Sequence, residues 1–105
     1  MDKLLEIIKA MDIPFAYDHF AEGEAVDPPF ICYLLPDSDN FAADGKVYFK
    51  ANEVHIELYT DTKDLSVEQQ VEAVLDEHGI YYDRSEVWIE SEKLYEVLYT
   101  FEMEA

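Results

Sequence analysis

From Glu53 to Tyr59 the chain reads Glu-Val-His-Ile-Glu-Leu-Tyr, with an aliphatic residue at every second place. Successive side chains of an extended strand point to opposite faces. The run is therefore a strand with Val54, Ile56 and Leu58 against a core, and Glu53, His55, Glu57 and Tyr59 on the other face. The polar stretch Thr60-Asp61-Thr62-Lys63-Asp64 cannot continue that pattern. The rest of the chain has to supply this strand with neighbours and with cover.

Two segments read as the cover. Leu4, Leu5, Ile7, Ile8 and Met11 recur at spacings of three and four, which predicts a helix over 2–11 with one apolar stripe. Asp2 suits its N-terminus, and Pro14 disfavours helical geometry at Ile13. A second helix is predicted over 66–78. Ser66 is placed as its N-cap, with Gln69 completing a capping box and Glu68 in the dipole-favoured first turn. Val67, Val71, Val74, Leu75 and His78 share one face of it, and Gly79 is placed as a left-handed cap.

Other runs read as neighbouring strands. Phe15–Phe20 is a short edge strand, and the polar stretch 22–29 is a loop. Phe30-Ile31-Cys32-Tyr33-Leu34-Leu35 is apolar on both faces, so it is covered on both sides or covered on one side by another subunit. Lys46–Lys50 is a further strand, with a bulge or tight turn at Ala51-Asn52. Val87 and Ile89 alternate with Glu86, Trp88 and Glu90. After a turn at Ser91-Glu92-Lys93, Tyr95, Val97, Tyr99, Phe101 and Met103 alternate with more polar partners. The expected fold is α+β: one domain over 1–105, a mostly antiparallel sheet of four to five strands, and both helices on one face. Val54, Ile56, Leu58, Val71, Leu75, Val97 and Phe101 are expected to be buried together.

Charge narrows the function. Seven Lys and Arg stand against 25 Asp and Glu, a formal net charge of −18. Such a surface repels phosphate backbones, so direct nucleic-acid binding is disfavoured. The single cysteine, Cys32, cannot form an internal disulfide and reads as a packed small hydrophobe. The start, Met1-Asp2-Lys3-Leu4, lacks the basic stretch and apolar run of a signal peptide. No stretch is long enough to span a bilayer, so a reducing cytoplasm and no membrane partner are expected.

No catalytic or cofactor pattern emerges. The glycines, Gly23, Gly45 and Gly79, are too far apart for a phosphate-binding loop or a dinucleotide fingerprint. His19, His55 and His78 show no metal spacing. The acidic stretch Asp37–Gly45 looks metal-like, but the fifth, sixth and twelfth places of a calcium loop fall on Phe41, Ala42 and Tyr48. It reads as a solvated acidic loop ending in an Asp44-Gly45 turn. The expectation is a chain with no metal or cofactor that is not an enzyme.

The second sheet face carries His55, Glu57, Tyr59, Trp88, Glu90, Leu98 and one side of the Phe30–Leu35 strand. A mixture of aromatic and polar groups is what interfaces show. Phe41, Tyr48, Tyr59, Trp88 and Leu98 are the candidate protein-interaction residues, since large aromatics are over-represented among binding hot spots.

Several stretches together carry a family resemblance. They are Pro29-Phe30-Ile31-Cys32-Tyr33, the acidic run 37–44, Lys46-Val47-Tyr48, His55–Asp61, Glu86-Val87-Trp88-Ile89-Glu90 and Tyr95-Glu96-Val97. With them the chain resembles, over most of its length, the small tail-completion or tail-terminator proteins of siphophages and prophages of Gram-positive bacteria, including the head–tail connector group. The resemblance implies an α+β subunit, not an enzyme, that forms rings, commonly hexameric, at the end of the tail tube or at the head–tail joint. The implied partners are other copies of the chain and tail-tube or head-connector proteins, in the host cytoplasm during assembly and then in the virion tail. An acidic lumen would let DNA slide through without sticking. The competing reading is a small acidic phage-encoded inhibitor that mimics DNA and blocks a host DNA-binding protein.

Overall fold

The computed structural model describes the backbone of residues 2–21, 23, 26–36, 38–43 and 46–104, and the side chains of residues 3–21, 23, 26–36 and 52–103. The element order is α1 (Asp2–Ala10), β1 (Phe15–Tyr17), β2 (Phe30–Leu34), β3 (Ser38–Ala43), β4 (Lys46–Thr60), α2 (Leu65–Glu77), β5 (Asp83–Ile89) and β6 (Leu94–Glu104). Five strands lie in the order β1-β2-β4-β6-β5, and β3 pairs separately with β4. Among the described residues β1 and β2 run parallel, and the other pairings are antiparallel.

The Glu53–Tyr59 run sits at the centre of this sheet, inside β4. Across the strands, Leu58 stands between Ile31 and Val97, and Ile56 stands between Tyr33 and Tyr99. Those rows face both helices. Leu4, Ile7, Ile8 and Met11 of α1 and its end join Val71, Val74 and Leu75 of α2 over Ile31, Val54, Ile56, Leu58, Val97, Tyr99 and Phe101 in one buried cluster. Each such side chain contributes roughly 1.5–3 kcal/mol on full burial, which is why two amphipathic helices suffice to hold the sheet. The seven residues expected to be buried together are all in it.

The helix ends follow local chemistry. Asp64, rather than Ser66, is the N-cap of α2: its Oδ1 accepts the backbone N–H of Ser66 at 3.1 Å and of Val67 at 3.3 Å. The Ser66 hydroxyl donates to the same oxygen at 2.7 Å. A carboxylate there satisfies orphan N–H groups and meets the positive end of the helix dipole, so it displaces the serine as cap. At the other end Gly79 has φ 67°, and the Ile80 N–H returns to the Leu75 carbonyl at 3.0 Å. That left-handed turn is the one place after α2 where glycine is required.

Two expectations are corrected. Residues 38–43 of the acidic stretch form strand β3 instead of a loop; Asp37, Asp44 and Gly45 lie outside the described residues. No turn interrupts the chain at Ala51-Asn52 either, and β4 runs for 15 residues. Its first part is held by β3, from Ser38 opposite Asn52 to Ala43 opposite Lys46, while Ala51 and Asn52 also pair with Glu104 and Met103 of β6. Pairing on both sides keeps them extended. The register shifts by one between Phe41 and Ala42, leaving Tyr48 as an extra residue on β4.

The β3–β4 hairpin makes the molecule long. Its principal extents are 50 × 30 × 24 Å and its radius of gyration is 15.0 Å, against roughly 13 Å for a compact domain of this length.

Candidate interaction surface

Both helices lie on one face of the sheet, and the opposite face carries Phe30, Cys32, Glu57, Tyr59, Glu96 and Leu98. Strand register brings these together. Glu57 stands between Cys32 and Leu98, and Tyr59 stands between Phe30 and Glu96. The Tyr59 ring stacks on Phe30 with centroids 5.0 Å apart. Phe20, from the β1–β2 connection, meets Phe30 edge-on at 5.5 Å.

At the centre of the face two carboxylates converge on one phenol. The Tyr59 hydroxyl lies 3.0 Å from Glu57 Oε1 and 3.1 Å from Glu96 Oε2. It has one proton, so at any instant it donates to only one of them. Burial pushes the Glu57 carboxyl up; the bond from Tyr59 opposes this, and the charge of Glu96 raises it further. Burial, and then the charges of Glu57 and Glu96, push the Tyr59 phenol far above its ordinary value. Tyr59 therefore remains a donor at working pH. Beside it Cys32 is 5% exposed. Burial first, then Glu57, raises its thiol to about 11. That leaves it a packed side chain rather than a nucleophile.

Of the residues selected from sequence, Tyr59 and Leu98 share this face. Trp88 does not. It pairs with Tyr95, which has the same parity as Val97 and Tyr99, so Trp88 lies on the helix side of β5. There it packs against Tyr95 with centroids 4.7 Å apart and donates to Glu90 at 2.6 Å. The alternation of β5 is inverted because its charged residues are needed beneath α2. Arg84 and Glu86 face the helix side, and Val87 is exposed on the open face. The side chains of Phe41 and Tyr48 lie outside the described residues.

Sequence reading missed both Glu96 and the role of Glu68. Glu96 was visible as a polar alternate of Val97, but its meeting with Tyr59 depends on register. Glu68 is only 4% exposed. It accepts from Lys63 at 2.6 Å and from Arg84, and both cations also contact Glu86. Tyr99 donates to Glu72 at 2.7 Å, and Glu72 lies 3.7 Å from Arg84. This network ties α2 to β5 and β6.

A cleft of about 730 Å³ opens where α1, the end of α2 and the ends of β5 and β6 meet. Its lining mixes Lys3, His78 and Asp83 with Ile7, Phe101 and Met103, and includes none of the residues selected from sequence. Among the described residues, no cluster of three or more His, Cys, Asp or Glu side chains is placed to hold a metal ion. No described helix is long and apolar enough to cross a membrane. No protein-family model matches the chain, and no curated protein matches it.

Proposed function

We propose that the chain is a structural subunit that joins copies of itself into a ring during assembly of a phage or prophage tail, at tail completion or at the head–tail joint. The observation that best supports this reading is the β3–β4 hairpin. Among described side chains the part of β4 buried in the core begins at Val54. Residues 46–50, which pair with β3 but not with β6, add roughly 17 Å of strand beyond the central sheet at the usual rise per residue. An arm of that length can reach a neighbouring subunit. The sheet face without helices offers a second surface, for a tail-tube or connector protein.

Charge sets the conditions for assembly. With −18 on each subunit, copies repel at low salt and associate better once charges are screened. Light scattering or sedimentation across ionic strength, with and without the tail-tube protein, tests the reading. The expected result is growth from monomer to a closed ring as salt rises or when the tube is present. A monomer in every condition that captures a host DNA-binding protein one-to-one would replace the ring with the DNA-mimic reading.

A further inference from the structure

We propose that the open sheet face is a docking surface for a basic protein partner, and that it takes an arginine side chain between Glu57 and Glu96, over the Phe30–Tyr59 aromatic pair. The proposal stands whether or not the chain closes into rings.

The face is complementary to such a partner in three ways. Its charge is one-sided. Glu53, Glu57 and Glu96 lie on it, and the charge of Asp18 reaches Glu57 and Cys32 from the β1–β2 connection. Among the described side chains no lysine or arginine shares the face. Lys63 and Arg84 are held on the helix side by Glu68, Lys93 pairs with Glu90 in the turn, and Lys3 and Lys9 belong to α1. Two histidines stand beside these carboxylates: His55 lies 3.7 Å from Glu53, and His19 lies 3.0 Å from Asp18.

The central carboxylates also share a single donor, the Tyr59 hydroxyl, and are otherwise open to solvent or a partner. One phenolic proton serves two half-buried acceptors. An incoming guanidinium presents five N–H groups in a planar fork, enough to reach both carboxylates at once. Finally, the flat side of that fork packs on aromatic rings, and the stacked Phe30 and Tyr59 rings are half-buried beside the carboxylates. Leu98 and Val87 extend the apolar part of the face across β6 and β5. A second copy is a poorer occupant: its matching face would bring the same carboxylates together, and its other faces belong to a chain of net charge −18.

The choice of arginine over lysine makes the proposal specific. An ammonium is a compact point charge without the fork or the flat face. The test titrates the full chain with two synthetic peptides of equal charge, one alternating arginine with leucine and the other lysine with leucine. Affinity is read by calorimetry, and location by NMR shifts at Tyr59 and Leu98.

The arginine peptide should bind more tightly and should move those signals. The double variant Glu57→Gln/Glu96→Gln should weaken it by about tenfold or more, as removing the charged partners of a desolvated cation does. The control Glu77→Gln/Glu92→Gln removes the same charge from exposed sites elsewhere, and should change affinity by less than about twofold, as screened rim charges do. Thermal melting of both variants at or above the temperature of the unmodified chain would show that the fold is intact. Equal losses in the two variants, equal affinity for the two peptides, or no binding by the unmodified chain would each overturn the proposal. So would Tyr59 and Leu98 signals that shift with protein concentration alone, since that would assign the face to another copy.

Discussion

Replacing Glu68 with Ala should destabilise the fold by about 2 kcal/mol, a value bracketed by two limits. Removing one partner from a buried ion pair costs roughly 3–5 kcal/mol, because the other charge is left without solvent or partner. A fully exposed pair is worth no more than about 1 kcal/mol. Glu68 belongs to the first class at its own side chain, which is 5% exposed. Its partners do not: Lys63 is 37% and Arg84 35% exposed, and both keep Glu86. Water and Glu86 therefore recover part of the loss. For a domain near 100 residues, about 2 kcal/mol corresponds to a fall in Tm of roughly 8–16 °C. Urea unfolding is the direct assay, with a lower midpoint and an unchanged slope expected. A double-mutant cycle with Arg84→Ala should show coupling above about 0.5 kcal/mol. A loss below about 0.5 kcal/mol for Glu68→Ala, the range of ordinary surface changes, would refute the view that this carboxylate fastens α2 to β5.

Leu75 is completely buried between α2 and the sheet, so Leu75→Ala should cost roughly 2–5 kcal/mol in the same assay. Glu57→Gln should act in the opposite direction at neutral pH. The folded Glu57 carboxyl is raised, so its stabilising contribution is complete below the ordinary carboxylate range and is lost as pH rises through the folded value. Gln removes that loss: the urea midpoint should rise at pH 7 and stay close to the parent near pH 4. Glu86 has the reverse sign. Lys63 holds its carboxyl below the ordinary value, so its contribution is present above that range and is lost on acidification. Glu86→Gln should therefore narrow the stability difference between pH 7 and low pH.

The core was readable because it depends on local periodicity. Val54, Ile56 and Leu58 alternate, Leu4, Ile7, Ile8 and Met11 recur at helical spacing, and both patterns survive in the fold. What could not be read depends on which strand lies beside which. Nothing near Asp39 indicates that residues 38–43 pair with 46–52 instead of forming a solvated loop. Trp88 was misplaced for a related reason. Alternation shows which β5 residues share a face, but not which of the two faces meets the helices. The apolar set, Val87 and Ile89, suggested the core side, yet the buried Glu68 requires Arg84 there, and Glu86 follows by alternation and is held by Lys63 and Arg84. The Tyr59 cluster is likewise a product of register, since Glu57, Tyr59 and Glu96 come from two strands far apart in sequence.

The inverted alternation of β5 also bears on aggregation. An outermost strand offers unpaired backbone groups on which a foreign strand can grow. In β5 every second residue toward the helices is committed to a specific ionic or ring partner: Arg84 and Glu86 to the Glu68 network, and Trp88 to Tyr95. A slip by one residue would turn Arg84 and Glu86 away from α2 and put Ser85 and Val87 beneath it, leaving Glu68 buried without Arg84. The strand is locked to one alignment by charge where its apolar residues would have tolerated two. A sheet whose rim cannot shift is a poor template for stacking misaligned chains.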